Sequence, residues 1–79
     1  MSPTVFREGG FRFYFFSREE PRMHIHVYGE KGEAKFWIEP QIELAQSYGL
    51  ADIELNLIRK LIEEREHEIR KAWSGHFSG

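Results

Sequence analysis

The sequence predicts an α+β domain: a small antiparallel sheet of three to five strands, with one long C-terminal helix packed on its apolar face. Three observations lead there. In the first half, apolar and polar residues alternate with a period of two, in short runs separated by Gly or Pro. From about Ala51 to about Trp73 there is no Gly or Pro, and apolar residues recur at helical spacing. A length of 79 residues is enough for one domain, 1–79, and too short for two.

The elements follow in order, with strands filling about 4–45 and the helix about 51–73. Thr4 to Arg7 is a short strand ended by Gly9-Gly10. Phe11 to Phe16 is a strand of aromatics and one Arg, and Ser17 to Pro21 is a polar connection. Met23 to Tyr28 is the third strand. Gly29-Glu30-Lys31-Gly32 is a hairpin loop whose terminal glycines suit positive φ. Glu33 to Ile38 returns, Glu39-Pro40 ends it, and Gln41 to Ala45 is a short edge strand or a turn. In the helix, Leu50, Ile53, Leu57, Leu61 and Ala72 share one side, and Ile58, Ile62, Ile69 and Trp73 widen it into an arc. The expected core sets Ile53, Leu57, Leu61 and Ile69 against Phe13, Phe15, Ile25, Val27 and Phe36. An arc this wide exceeds what one small sheet covers, and the surplus is either a second contact, such as a homo-oligomer interface, or a partly exposed apolar edge of the kind common in small proteins. Ala51, three residues before Glu54, stands where a Ser would complete a capping box, at a cost of about 1 kcal/mol.

Composition narrows the function. Seven Phe, three Tyr and two Trp supply apolar area to a short chain. The absence of Cys excludes disulfides and thiolate zinc sites. No apolar run approaches the ~20 residues that span a bilayer, and Met1-Ser2-Pro3-Thr4 lacks the character of a secretory signal, so a cytoplasmic protein without a membrane partner is expected. A net charge of −2 gives no global attraction for nucleic acid, so any such site is local and salt-dependent.

The chemistry concentrates in Arg22-Met23-His24-Ile25-His26-Val27-Tyr28. Strand parity turns Met23, Ile25 and Val27 to one face and Arg22, His24, His26 and Tyr28 to the other. On neighbouring strands the same parity groups Arg12 and Tyr14, and Lys35 and Trp37. One face is thus almost wholly apolar; the other mixes Arg, Tyr, His, Lys and Trp and is expected to stay open to water.

The whole pattern resembles the family catalogued as domain of unknown function 4160. The residues that carry the likeness are Pro3-Thr4, Arg12 to Ser17, Glu20-Pro21, His24 to Val27, Gly32 to Pro40, Glu43 to Ala45, Glu63-Glu64, Ala72-Trp73 and Phe77. They cover nearly the whole chain in order, and His24, His26, Lys35 and Trp37 fall on motif positions. The resemblance implies a small prokaryotic protein of a toxin–antitoxin-type gene pair, whose partner is a cognate small protein from a neighbouring gene. It implies no reaction, cofactor or catalytic residue.

Three chemistries fit the mixed face. Two imidazoles roughly 6–7 Å apart on a strand could ligate a metal, but a third ligand would have to come from Glu33, Glu39 or His67, and no spacing requires it; no metal or cofactor is expected. Metal-independent RNA cleavage could use His24 and His26 as base and acid. Arg12, Arg22 or Lys35 would then hold the phosphate, and Tyr14, Tyr28 and Trp37 the bases. A binding module could use the same Arg12, Tyr14, Arg22, Tyr28, Lys35 and Trp37 to grip a partner protein, or RNA or DNA, without catalysis. The expectation is the binding module, a toxin–antitoxin-type interaction protein, with the RNA-cleaving toxin as the alternative.

Overall fold

The computed structural model describes residues 4–15 and 21–77. Five strands come first: β1 (Thr4–Glu8), β2 (Phe11–Tyr14), β3 (His24–Tyr28), β4 (Glu33–Trp37) and β5 (Glu43–Tyr48). Two helices follow, α1 (Asp52–Glu64) and α2 (Glu66–Phe77). The strands form one sheet in the order β1-β2-β3-β4-β5, and every neighbouring pair is antiparallel. The α+β architecture and the strand number agree with the expectation. The end of the second predicted strand, Phe16, and the connection through Glu20 lie outside the described residues.

Antiparallel register makes directly opposed residues share a face. Phe6, Phe13 and Val27 line up across β1 to β3, and Ile25 faces Phe36. Phe13, Ile25, Val27 and Phe36 are buried with Phe15 and Ile38 in a single core, and Phe6 stacks on Phe13 with centroids 4.2 Å apart. The β1–β2 turn is Gly9-Gly10, both at positive φ. Neither Gly29 nor Gly32 adopts positive φ, contrary to expectation. Gly32 is required for another reason: a Cβ there would run into the Tyr48 carbonyl and the backbone of Gly49. β5 extends to Tyr48 rather than ending at Ala45, and a bulge between Lys35 and Phe36 of its partner strand leaves Ala45 unpaired. That irregularity breaks the alternation in sequence, which is why the strand reads as too short.

The single long helix is two helices. The chain breaks at Arg65 (φ −116, ψ 21), whose N–H is shared between the carbonyls of Leu61 and Ile62. No Gly or Pro marks the break, and the residue at it is held by contacts distant in sequence. The Arg65 guanidinium donates to Glu8 of β1 (2.7 and 2.9 Å) and to Glu68 (3.1 Å), and lies 4.4 Å from the Phe6 ring centroid. Farther on, Arg70 donates to Glu66 and Glu39, each at 2.8 Å, and to the Ile38 carbonyl at 3.3 Å. The hydrogen bond to Glu8 raises Arg65 above the ordinary guanidinium range, and the bond to Glu66, followed by that to Glu39, does so for Arg70. A raised pKa stabilises the folded chain at all pH below the unfolded guanidinium value and is lost only as pH climbs through the folded one, so this contribution is constant across physiological pH.

The helix stripe that meets the core is Ile58, Leu61, Ile62 and Ile69, all buried. Ile53 (78% exposed) and Leu57 (43% exposed) are not part of it, correcting the expected packing. Both flanks of the helix are apolar in sequence, and the sheet covers only one. At the start of α1, Ala51 is extended (φ −79, ψ 161) and its N–H donates to Glu54 Oε1 at 3.0 Å. This is half a capping box, because an alanine methyl cannot accept the return bond. Ala51→Ser is expected to raise the unfolding free energy by about 1 kcal/mol, read from the urea midpoint at constant slope.

Candidate functional site

Cross-strand register arranges the mixed face of the sheet in three rows. Arg7, Arg12, Tyr28, Glu33 and Tyr48 form the first. The middle row is Thr4, Tyr14, His26, Lys35 and Gln46. His24, Trp37 and Glu43 form the third. The alternation of β2, β3 and β4 thus brings together Arg12, Tyr14, His24, His26, Tyr28, Lys35 and Trp37. Arg22, just before β3, joins them by folding over Trp37.

The side chains form a continuous ladder. Arg12 donates from Nε to Thr4 Oγ1 (2.7 Å) and sets its guanidinium 4.6 Å from the Tyr14 centroid. Tyr14 stacks near His26 at 5.5 Å, and His26 meets His24 edge-on at 5.0 Å. His24 meets Trp37 edge-on at 5.7 Å. The Trp37 ring carries the Arg22 guanidinium at 4.1 Å and Lys35 Nζ at 4.5 Å. Arg22 is fixed in turn by the Glu39 carbonyl (2.8 Å) and by Glu43 (3.9 Å). Cations over indole and phenol faces are attracted by the ring quadrupole, so each ring orders a charge as well as presenting a surface.

The two histidines differ. His26 is partly accessible, but His24 is fully buried (0% exposed). Trp73 of α2 packs against both His24 (5.3 Å) and Phe15 (5.3 Å) and closes that end of the sheet. His24 Nδ1 lies 2.7 Å from the Arg22 carbonyl. A carbonyl only accepts, so Nδ1 donates, which fixes the ring's orientation and locks the approach to β3. The expectation that both imidazoles stand open to water therefore fails for His24. Parity locates a residue on a face but does not reveal a ring arriving from a distant helix.

A groove of about 210 Å³ opens on the middle of this face, lined by Tyr14, His26, Lys35, Gln46 and Tyr48, with Glu33 at its edge. A wider, shallower groove of about 640 Å³ lies at the β1–β2 turn, where Arg7, Phe11, Arg12 and Tyr28 meet. Tyr28 and Tyr48 are the most exposed rings on the face, at 55% and 79%. Sequence reasoning missed Gln46 and Tyr48 because it ended β5 early; the aromatic just before Gly49 was the one signal available. Among the described residues, no three His, Asp or Glu gather as metal ligands. Among those residues, too, no helix is long and apolar enough to cross a membrane.

Residues 10–74 match the family described as Domain of unknown function (DUF4160). No curated protein and no solved structure matches the chain.

Proposed function

The chain belongs to the DUF4160 family, and from that premise we propose that it is a small interaction protein of the toxin–antitoxin kind. It holds its cognate partner, the protein product of a neighbouring gene in the same cytoplasm, on the open face of its sheet. The observation that carries this reading is the ordered aromatic and cationic surface on that face, with Tyr28 and Tyr48 standing clear of it. Rigid tyrosines beside arginines are the typical anchors of protein interfaces. Favouring protein over nucleic acid are the mixed charges of the outer rows, with Glu33 and Glu43 among the cations, and a net charge of −2.

RNA cleavage by a His24/His26 pair has less support. His24 is sealed beneath Trp73 and holds a backbone carbonyl, leaving one imidazole within reach of a bound strand. Base and acid would then have to be the same group or come from elsewhere.

Co-expression with the neighbouring gene product tests the proposal. The partner is expected to co-purify with the native chain. Tyr28→Ala/Tyr48→Ala is expected to weaken binding by about 30-fold, the loss of a hot spot worth about 2 kcal/mol. Unchanged affinity in the double variant would remove the open face from the interface. RNA patterns that differ between cells expressing native protein and the His26→Ala variant would instead revive cleavage.

A further inference from the structure

Cross-strand register sets Glu33 of β4 directly between two tyrosines, Tyr28 of β3 and Tyr48 of β5. All three residues are exposed. Among the described residues, nothing pairs with the Glu33 carboxylate and no side chain stacks on either ring. The cations that could neutralise Glu33 are engaged elsewhere. Lys35, two residues along β4, carries its Nζ over Trp37. Arg12, opposite Tyr28, bonds Thr4 and covers Tyr14. Arg7 lies three strands from Glu33, about 14 Å along the row. The hairpin between β3 and β4 adds one charge of each sign, Glu30 and Lys31.

We infer that Tyr28, Glu33 and Tyr48 form a clamp for an arginine side chain of the protein partner. The inference rests on the reading that the open face binds a protein. Neighbouring strands stand about 4.8 Å apart, so the two tyrosines are rooted about 10 Å from each other. A cation held midway lies within the ~6 Å of each ring centroid at which the quadrupole attracts it. There it also meets the carboxylate that register puts at the middle of the gap. Charge makes the site selective, because an ionised carboxylate only accepts and its strong bonds are to charged donors. Arginine fits better than lysine: a planar guanidinium can lie along a phenol face while two of its N–H groups bond one carboxylate. The same Glu33 repels a phosphate backbone, which disfavours the stacking of nucleic-acid bases on these two rings. A net charge of −2 favours the approach of a basic partner.

The test is an NMR titration of the isotope-labelled full chain at low salt with short capped peptides in which Ser alternates with arginine, with its uncharged isostere citrulline, or with lysine, and with oligothymidylate. The arginine peptide is expected to shift Tyr28, Glu33 and Tyr48. It should bind about tenfold more tightly than the citrulline peptide and dissociate in high salt. Glu33→Gln, which keeps the length of the side chain, should abolish that preference, with thermal unfolding showing that the variant is folded. Equal binding of the arginine and citrulline peptides, or a preference that survives Glu33→Gln, overturns the inference. Lysine bound as tightly as arginine also overturns it, because the clamp then does not read a guanidinium. Tighter binding of oligothymidylate overturns it in favour of a nucleic-acid face. In co-expression, Glu33→Gln should weaken capture of the neighbouring gene product about tenfold. If capture is unchanged there yet lost in Tyr28→Ala/Tyr48→Ala, the arginine inference fails alone and the protein-binding reading stands.

Discussion

Phe13→Ala is expected to lower the unfolding free energy by about 3–5 kcal/mol. The ring is fully buried at the centre of the apolar face, opposite Val27 and stacked on Phe6. Its removal leaves a cavity in the one buried cluster that also holds Ile58, Ile62 and Ile69 of the helices, and a close-packed core relaxes only partly into such a space. A domain of this length has only about 4–12 kcal/mol in total, so the variant is expected to be largely unfolded at moderate urea. Circular dichroism against urea measures it. A loss below about 1 kcal/mol would mean that the helices do not pack on this face.

His24→Ala is expected to cost about 2–4 kcal/mol, and His26→Ala less than about 1 kcal/mol. The two residues have the same chemistry and are two positions apart, so only their surroundings can separate them. His24 fills the space between Trp37 and Trp73, and its Nδ1–H satisfies the Arg22 carbonyl. Truncation empties that space and strips a partner from the carbonyl. His26 lies beside the groove, where water can replace what is lost. Paired urea titrations read the difference. Equal, small effects would show that His24 is not sealed, and would restore the two-imidazole chemistry. The expected result has a practical corollary: a phenotype of His24→Ala reports folding, whereas one of His26→Ala reports the face itself.

What could be read from the sequence was what local pattern controls. Alternation in Phe11-Arg12-Phe13-Tyr14 and His24 to Tyr28 assigned both faces of the central strands, and the register places Arg12, Tyr14, His26, Tyr28, Lys35 and Trp37 together as parity requires. What escaped was decided by contacts distant in sequence. Arg65 stands at the break between the helices and is held there by Glu8, 57 residues earlier, a contact that no local spacing announces. Ile53 and Leu57 are as apolar as Ile58 and Ile62, yet only the second pair is buried, a choice that helical spacing alone does not make. His24 is buried because Trp73 arrives from the last helix, and no spacing within the third strand carries that information.

The sheet order matches the order of the chain, and this has a consequence for how the protein is made. Each strand, on leaving the ribosome, finds its only earlier neighbour already present, so pairing proceeds vectorially without waiting for a remote segment. The greasy side of the sheet, however, stays bare until α1 and α2 emerge. Until they do, the apolar side of the pairing strands has no cover, and that interval is when the chain is most open to aggregation.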